Sequence, residues 1–180
     1  MITVSQKLGV TSYLLALNTP ESENGQIVSP ILDGDTLYRR YQDDHFDADG
    51  DYIPAFFSFP DKRDNPKSGQ SFLLGSLSCV LHALHRNCND NRPLKPGVWG
   101  VLSMSVESVP KELEDFATHR MFYFRPVHKP YATCNAHCEL FCTLTPNGLA
   151  YELPPRDVRT RFRIRIARSL KPTGVKAAIR

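Results

Sequence analysis

Four arginines near the C-terminus form the most regular chemical pattern in the sequence. They lie two residues apart, at Arg159, Arg161, Arg163 and Arg165. Because successive side chains of a β-strand point to opposite faces, a strand over residues 158–166 would place all four guanidinium groups on one face. Guanidinium groups donate paired hydrogen bonds to phosphate and carboxylate oxygens. The pattern therefore predicts an arginine-lined C-terminal strand that binds a polyanion.

The same pattern also has a purely structural interpretation. Arginines on an edge strand prevent it from pairing with another sheet, and an acidic loop over residues 43–51 could neutralise them within the molecule. The charge distribution is compatible with both interpretations. Residues 151–180 carry nine basic and two acidic residues, a net charge of +7, whereas residues 1–150 carry thirteen basic and seventeen acidic residues, a net charge of −4. We expect the partner of the C-terminal part to be acidic.

Two histidines, His128 and His137, lie in a segment rich in proton-transferring and metal-binding residue types. An imidazole exchanges protons near neutral pH, so the pair could act as general acid and general base. The two histidines could also simply complete strand ends with ordinary hydrogen bonds. The neighbouring cysteines lack the C-x2-C spacing of a structural zinc site, and we therefore predict no metal and no cofactor.

Three further residues are candidates for anion binding. Arg39 and Arg40 lie in a strand-like segment, and Ser71 precedes a run of apolar residues. A serine at the first turn of a helix caps free backbone N–H groups, and such an end can hold a phosphate, although ordinary helices begin in the same way. In an enzyme, Arg39 or Arg40 would hold the anionic group of the substrate.

The cysteine content and the lack of long apolar runs indicate the compartment. Five cysteines with uneven spacing do not match a disulfide framework, so we predict free thiols and a reducing environment. No stretch approaches the roughly 18 apolar residues that span a bilayer, and the first ten residues lack the pattern of a signal peptide. We therefore expect a cytoplasmic protein that does not bind a membrane.

These candidate residues must be positioned by a mixture of strands and helices. Alternating or short apolar segments predict strands in TLYRRY, VWGVLSMSV, RMFYFRPVH and the segment from His137. Leucines at helical spacing predict a main helix over about 71–86, and Pro110 predicts the start of a short helix over about 110–118. We expect one α+β domain over residues 1–168, with a mixed or mainly antiparallel sheet of five or more strands. Residues 169–180 are predicted to form a flexible basic tail.

Several segments together resemble a family of small, mostly uncharacterised bacterial proteins that share an LYRR-like start and an H-x-P…N-x-A-H-like stretch. The segments are LYRRY, SGQS, GVWGVLSMSV and HKPYATCNAHCEL, and they lie within residues 35–142. The resemblance implies a bacterial source and no particular reaction. The polar residues that it includes are Arg39, Arg40, Ser71, His128, Asn135 and His137.

From these features we expect a bacterial nucleic-acid-associated protein, alone or as a subunit of a larger assembly. Its arginine-lined strand would bind RNA or DNA phosphates. One alternative is a small enzyme for a phosphorylated or nucleotide substrate, with His128 and His137 as the acid–base pair. Another is a protein-binding module for an acidic partner.

Overall fold

The computed structural model describes residues 29–57, 70–85, 96–130, 134–148 and 150–179. These residues form a seven-stranded sheet in which all paired strands are antiparallel, with strand order β4-β5-β6-β2-β1-β3-β7. The strands are β1 (Thr36–Gln42), β2 (Gln70–Leu74), β3 (Gly97–Ser105), β4 (Glu112–Asp115), β5 (Arg120–His128), β6 (His137–Thr143) and β7 (Lys171–Ile179). Among the described residues, two α-helices accompany the sheet, α1 (Val80–His85) and α2 (Arg156–Ser169). The predicted α+β class and single domain are confirmed.

Each face of the sheet packs against one helix and carries its own core. On one face, Phe162 of α2 stacks on Phe124 of β5, with ring centroids 4.1 Å apart. We call this the α2 face. On the other, Leu84 of α1 packs with Leu73 of β2 and Val101 of β3, and we call it the α1 face. Side-chain alternation along each strand therefore decides which helix a residue meets.

The predicted arginine-lined strand is wrong, because residues 156–169 form helix α2. The apolar positions that matter are Val158, Phe162 and Ile166, which are four residues apart and fully buried. Apolar residues that recur every two positions also recur every four positions. The same sequence therefore fits both a β-strand and the apolar stripe of a helix. Arginine has a good helix propensity. Packing of the apolar stripe on the sheet also stabilises the helix more than an isolated edge strand would be stabilised.

The predicted main helix is confirmed only in its second half, at Val80–His85, and the predicted short helix is wrong. The region predicted as the main helix begins with β2, where Phe72, Leu73 and Leu74 are all buried because the strand is covered on both faces. Gly75 ends this strand where a Cβ atom would lie 2.9 Å from the Thr36 carbonyl oxygen, and the helix itself begins only at Val80. The region 110–118 contains β4 in place of a helix.

Four predicted strands are confirmed as β1, β3, β5 and β6. Residues 171–179, predicted as part of a flexible tail, form β7 and pair with β3 at the edge of the sheet. Arg180 and residues 1–28 of the predicted domain lie outside the described residues. Within the described part of the chain, neither helix is long and apolar enough to cross a membrane.

The predicted free thiols are confirmed for three cysteines and wrong for one. Cys79, Cys138 and Cys142 are free, whereas Cys134 is disulfide-bonded. Cys134 lies in the turn between β5 and β6, where its carbonyl oxygen accepts the N–H of His137. The disulfide argues against a reducing environment, and the cytoplasmic location stays a prediction.

Candidate functional site

Helix α2 does not present its arginines as one row. Successive residues of a helix are rotated by about 100°, so Arg159 and Arg163 lie on one side of α2, and Arg161 and Arg165 on another. Arg161 pairs with Asp157 at 2.9 Å and donates to the carbonyl oxygen of Glu114. The single cationic surface on which the nucleic-acid hypothesis depended is therefore not formed.

Arg163 and Arg159 are also part of the packing under α2. Arg163 Nε donates to the carbonyl oxygen of Phe57 at 2.8 Å. Burial, followed by the nearby charge of Arg159, lowers the pKa of Arg163. The Nε atom of Arg159 is buried and has no hydrogen-bond partner among the described residues. Both guanidinium groups therefore have environments set by the fold of this chain.

His128 is held by main-chain atoms at both ring nitrogens. The N–H of Ser29 donates to its Nδ1 at 2.8 Å, so its Nε2 carries the proton and donates to the carbonyl oxygen of Asn135 at 2.6 Å. Burial lowers the pKa of His128, which keeps the ring neutral. A ring with both nitrogens occupied by the backbone has no site left to exchange a proton with a substrate.

His137, at the start of β6, has the opposite tautomer and a different role. Its Nδ1 donates to the carbonyl oxygen of Lys129 at 2.7 Å, so its Nε2 carries a lone pair. This Nε2 lies 3.3 Å from the Oγ of Ser71. Burial lowers the pKa of His137, and the smaller effect of the nearby Glu139 raises it. His137 is thus a neutral, oriented base beside a hydroxyl group.

His128 and His137 do not meet across one cleft, as the acid–base hypothesis requires. In the pairing of β5 with β6, His128 lies opposite Cys138, so these two side chains leave the same face of the sheet. His137 is the neighbour of Cys138 and therefore leaves the other face. In the structure, His137 contacts Ser71 and not His128, the partner that the sequence predicted.

Ser71 lies within strand β2, whereas the sequence predicted it at the start of a helix. In the pairing of β2 with β6, Ser71 lies opposite Glu139, and Leu73 opposite His137. Ser71 and His137 are therefore diagonal neighbours on the α1 face, a position from which their side chains can touch. Ser71 is half-buried and His137 is buried, so Ser71 is the more exposed residue of the pair.

Two residues that sequence reasoning missed complete the surroundings. Glu139 is buried with a side-chain exposure of 1%, and Lys129 Nζ lies 3.4 Å from its Oε2. The sequence carried one signal: Glu139 interrupts an otherwise apolar and cysteine-rich strand. A glutamate inside such a strand needs a buried cationic partner, because an isolated buried carboxylate is costly.

The adjacent arginines Arg39 and Arg40 separate to the two faces of β1. Arg39 donates to the carbonyl oxygens of Ser71 and Phe56 and lies over the rings of Phe57 and Phe72 on the α2 face. Arg40 follows on the α1 face, the face of Ser71. The sequence alone does not distinguish these two arginines, whereas strand alternation places only Arg40 on the face of Ser71.

No metal site forms among the side chains that the structure describes, where no three His, Cys, Asp or Glu residues converge. Comparison with known proteins gives no relative: no family model matches, and neither do the curated proteins or the solved structures. The resemblance to small bacterial proteins therefore stays a prediction. The site must be interpreted from its own geometry.

Proposed function

We propose that this protein is an ester hydrolase in which Ser71 is the nucleophile and His137 the general base. One observation carries the proposal. The Lys129 carbonyl oxygen fixes the proton on Nδ1 of His137, and the lone pair on Nε2 is then directed at the Oγ of Ser71, 3.3 Å away. A nucleophile beside a base that a third group orients is the arrangement shared by serine hydrolases on unrelated folds.

The proton and bond changes follow from this arrangement. Ser71 Oγ attacks the ester carbon while its proton passes to Nε2 of His137. The leaving alcohol takes that proton as the ester bond breaks, and the acyl group remains on Ser71. A water molecule then gives a proton to His137 as its oxygen attacks the acyl carbon. His137 returns this proton to Ser71 Oγ as the acyl–serine bond breaks, which releases the acid and restores the serine.

The environment of His137 supports the role of base. Burial lowers the pKa of the ring, so the neutral form that accepts a proton is present at neutral pH. The carboxylate of Glu139 acts in the other direction and favours the imidazolium that forms during the reaction. A distance of 3.3 Å is long for a finished hydrogen bond, and such contacts shorten when a substrate binds.

Covalent labelling tests this proposal directly. A fluorophosphonate probe reacts with an activated serine when its oxygen displaces fluoride from phosphorus. We expect labelling of Ser71, located by mass spectrometry of peptides, and a loss of labelling in the Ser71→Ala and His137→Gln variants. A protein that stays unlabelled, or a label on another serine, would contradict the proposal.

We also propose that α2 binds polyanions through Arg165 and Arg168, which lie three residues apart on one side of the helix. Both are exposed and make no side-chain hydrogen bond or ion pair to another described residue. Phosphate binding by such groups releases counterions and weakens with salt. In a gel-shift titration of single-stranded RNA, we expect binding at low salt that the Arg165→Gln/Arg168→Gln double variant loses. Binding that ignores both salt and this variant would overturn the idea.

A further inference from the structure

We infer that Arg40 forms an oxyanion-binding subsite beside Ser71, which takes a phosphate or carboxylate group of the substrate. The inference rests on the proposed function only in describing the anion as part of a substrate. The binding site itself follows from the position of Arg40, its hydrogen bonding and its contact with Trp99.

The position comes from the sheet register. Tyr38 of β1 lies opposite Leu73 of β2. The pairing of β1 with β2 ends at this pair. Strand alternation points Arg40 and Ser71, each two residues further along its strand, to the same α1 face. The long side chain of Arg40 therefore extends over the side of the sheet that carries the proposed nucleophile.

The hydrogen bonding of Arg40 is incomplete. Its Nη1 is buried and has no hydrogen-bond partner among the described residues. Arg39, one residue earlier, shows the contrast, since both of its terminal nitrogens donate to main-chain carbonyl oxygens. Buried donors are almost always paired in proteins. An unpaired guanidinium N–H is the natural partner for an anionic oxygen that arrives with a ligand.

Trp99 lies beside the guanidinium group of Arg40. The Cζ of Arg40 lies 5.5 Å from the centre of the Trp99 ring, and the two residues come from the neighbouring strands β1 and β3. A cation over an aromatic ring keeps its N–H groups at its edge, where they can bind two oxygens at once. This contact favours a planar or tetrahedral oxyanion over a neutral group.

The single tryptophan makes this subsite measurable, because Trp99 is the only one in the chain. We propose to titrate the Ser71→Ala protein with inorganic phosphate, and separately with acetate, while tryptophan fluorescence is recorded. We expect a saturable change for at least one of the two anions, and the better ligand identifies the substrate group. Arg40→Lys should weaken this binding about tenfold, and Arg40→Gln should abolish it.

The Arg120→Gln variant, which changes an exposed arginine of β5, is the matched control and should bind the anion as the parent protein does. Thermal unfolding of each variant confirms that it is folded. The absence of a saturable change, or equal affinity in Arg40→Gln, overturns the subsite. If the anion binds through Arg40 but Ser71 is never labelled, the hydrolase proposal fails and the binding site stands. If Ser71 is labelled but no anion binds, the anion-binding subsite fails and the hydrolase proposal stands.

Discussion

In the described part of the chain, two serine hydroxyl groups contact a histidine ring, and the two contacts differ in what holds the imidazole. The Oγ of Ser78, which lies two residues before α1, is 2.9 Å from the Nδ1 of His82 in α1, and this distance is shorter than the 3.3 Å between Ser71 Oγ and His137 Nε2. Yet the second nitrogen of His82 makes no hydrogen bond to another described residue, whereas that of His137 donates to the Lys129 carbonyl oxygen. The shorter contact therefore leaves the proton position open, and the longer one fixes it.

Sequence separation adds a second difference. Ser78 and His82 are four residues apart at the start of one helix, a spacing at which side chains meet without tertiary structure. Ser71 and His137 are 66 residues apart and meet only because β2 pairs with β6. A local contact stabilises its helix end, whereas a contact built by the sheet is held in one geometry by both strands. Geometry that is fixed in this way is what a nucleophile and its base require.

The largest expected effect separates the two serines. We expect Ser71→Ala to lower kcat for p-nitrophenyl acetate at least about a thousandfold, because it removes the nucleophile. Ser78→Ala, the matched change just before α1, should leave kcat within about twofold. Initial rates at saturating substrate measure both. Equal losses in the two variants would mean that neither contact is catalytic and that the comparison has no chemical meaning.

The histidines should follow the serines with a smaller effect. His137→Gln removes the general base and should lower kcat by about 10²- to 10⁴-fold, whereas His82→Gln should behave as the parent protein does. Free imidazole added to His137→Gln should restore part of the rate, since it supplies a base without repairing the structure. A loss that imidazole does not change, together with a lower melting temperature, would assign His137 a structural role only.

How much of this site could be predicted from the sequence depends on the type of contact. The residues Ser71, His137 and Arg40 were all candidates from their chemistry alone. Their partnership was not predictable, because it depends on the register of β2 against β6 and of β1 against β2. His128 shows the converse, since its residue type suggested catalysis and its two main-chain partners exclude it.

The fold also contains elements that the sequence predicts and elements that it does not. Strands β3 and β5 show the alternation that a half-buried strand requires, and the sequence analysis placed them correctly. Strand β2 is buried on both faces, so its apolar run has no period and was assigned to a helix. In α2, the arginines recur every two residues and the buried apolar residues every four. Burial of the apolar residues determines that this segment forms a helix.

The disulfide of Cys134 provides a third prediction, because it tethers the turn that leads into His137. A disulfide consumes two of the five thiols, so we expect three to react with Ellman's reagent in denaturant and five after reduction. Reduction should lower the free energy of unfolding by about 2–4 kcal/mol, measured by urea denaturation. Five reactive thiols before reduction would remove the tether and restore the predicted reducing environment.

The smallest effect is the pH dependence of labelling at Ser71. Burial lowers the pKa of His137 from its ordinary value of 6.5, so the neutral base survives at pH values where an exposed histidine is protonated. We expect a labelling rate that is constant at neutral pH and falls only when the pH passes below 6.5. The rate of probe consumption across the pH range, in buffers of constant ionic strength, measures the midpoint.

The free energy of unfolding should also decrease as the pH falls, and its pH dependence serves as the control for the labelling midpoint. The unfolded chain takes up protons at His128 and His137 near pH 6.5, whereas the native rings resist protonation because they are buried. The unfolded state therefore binds more protons below pH 6.5, and the free energy of unfolding must decrease as the pH falls through that range. His128→Gln should reduce this slope without moving the midpoint of labelling. A labelling midpoint above 6.5 would show that His137 is not the buried base that distinguishes its contact from that of His82.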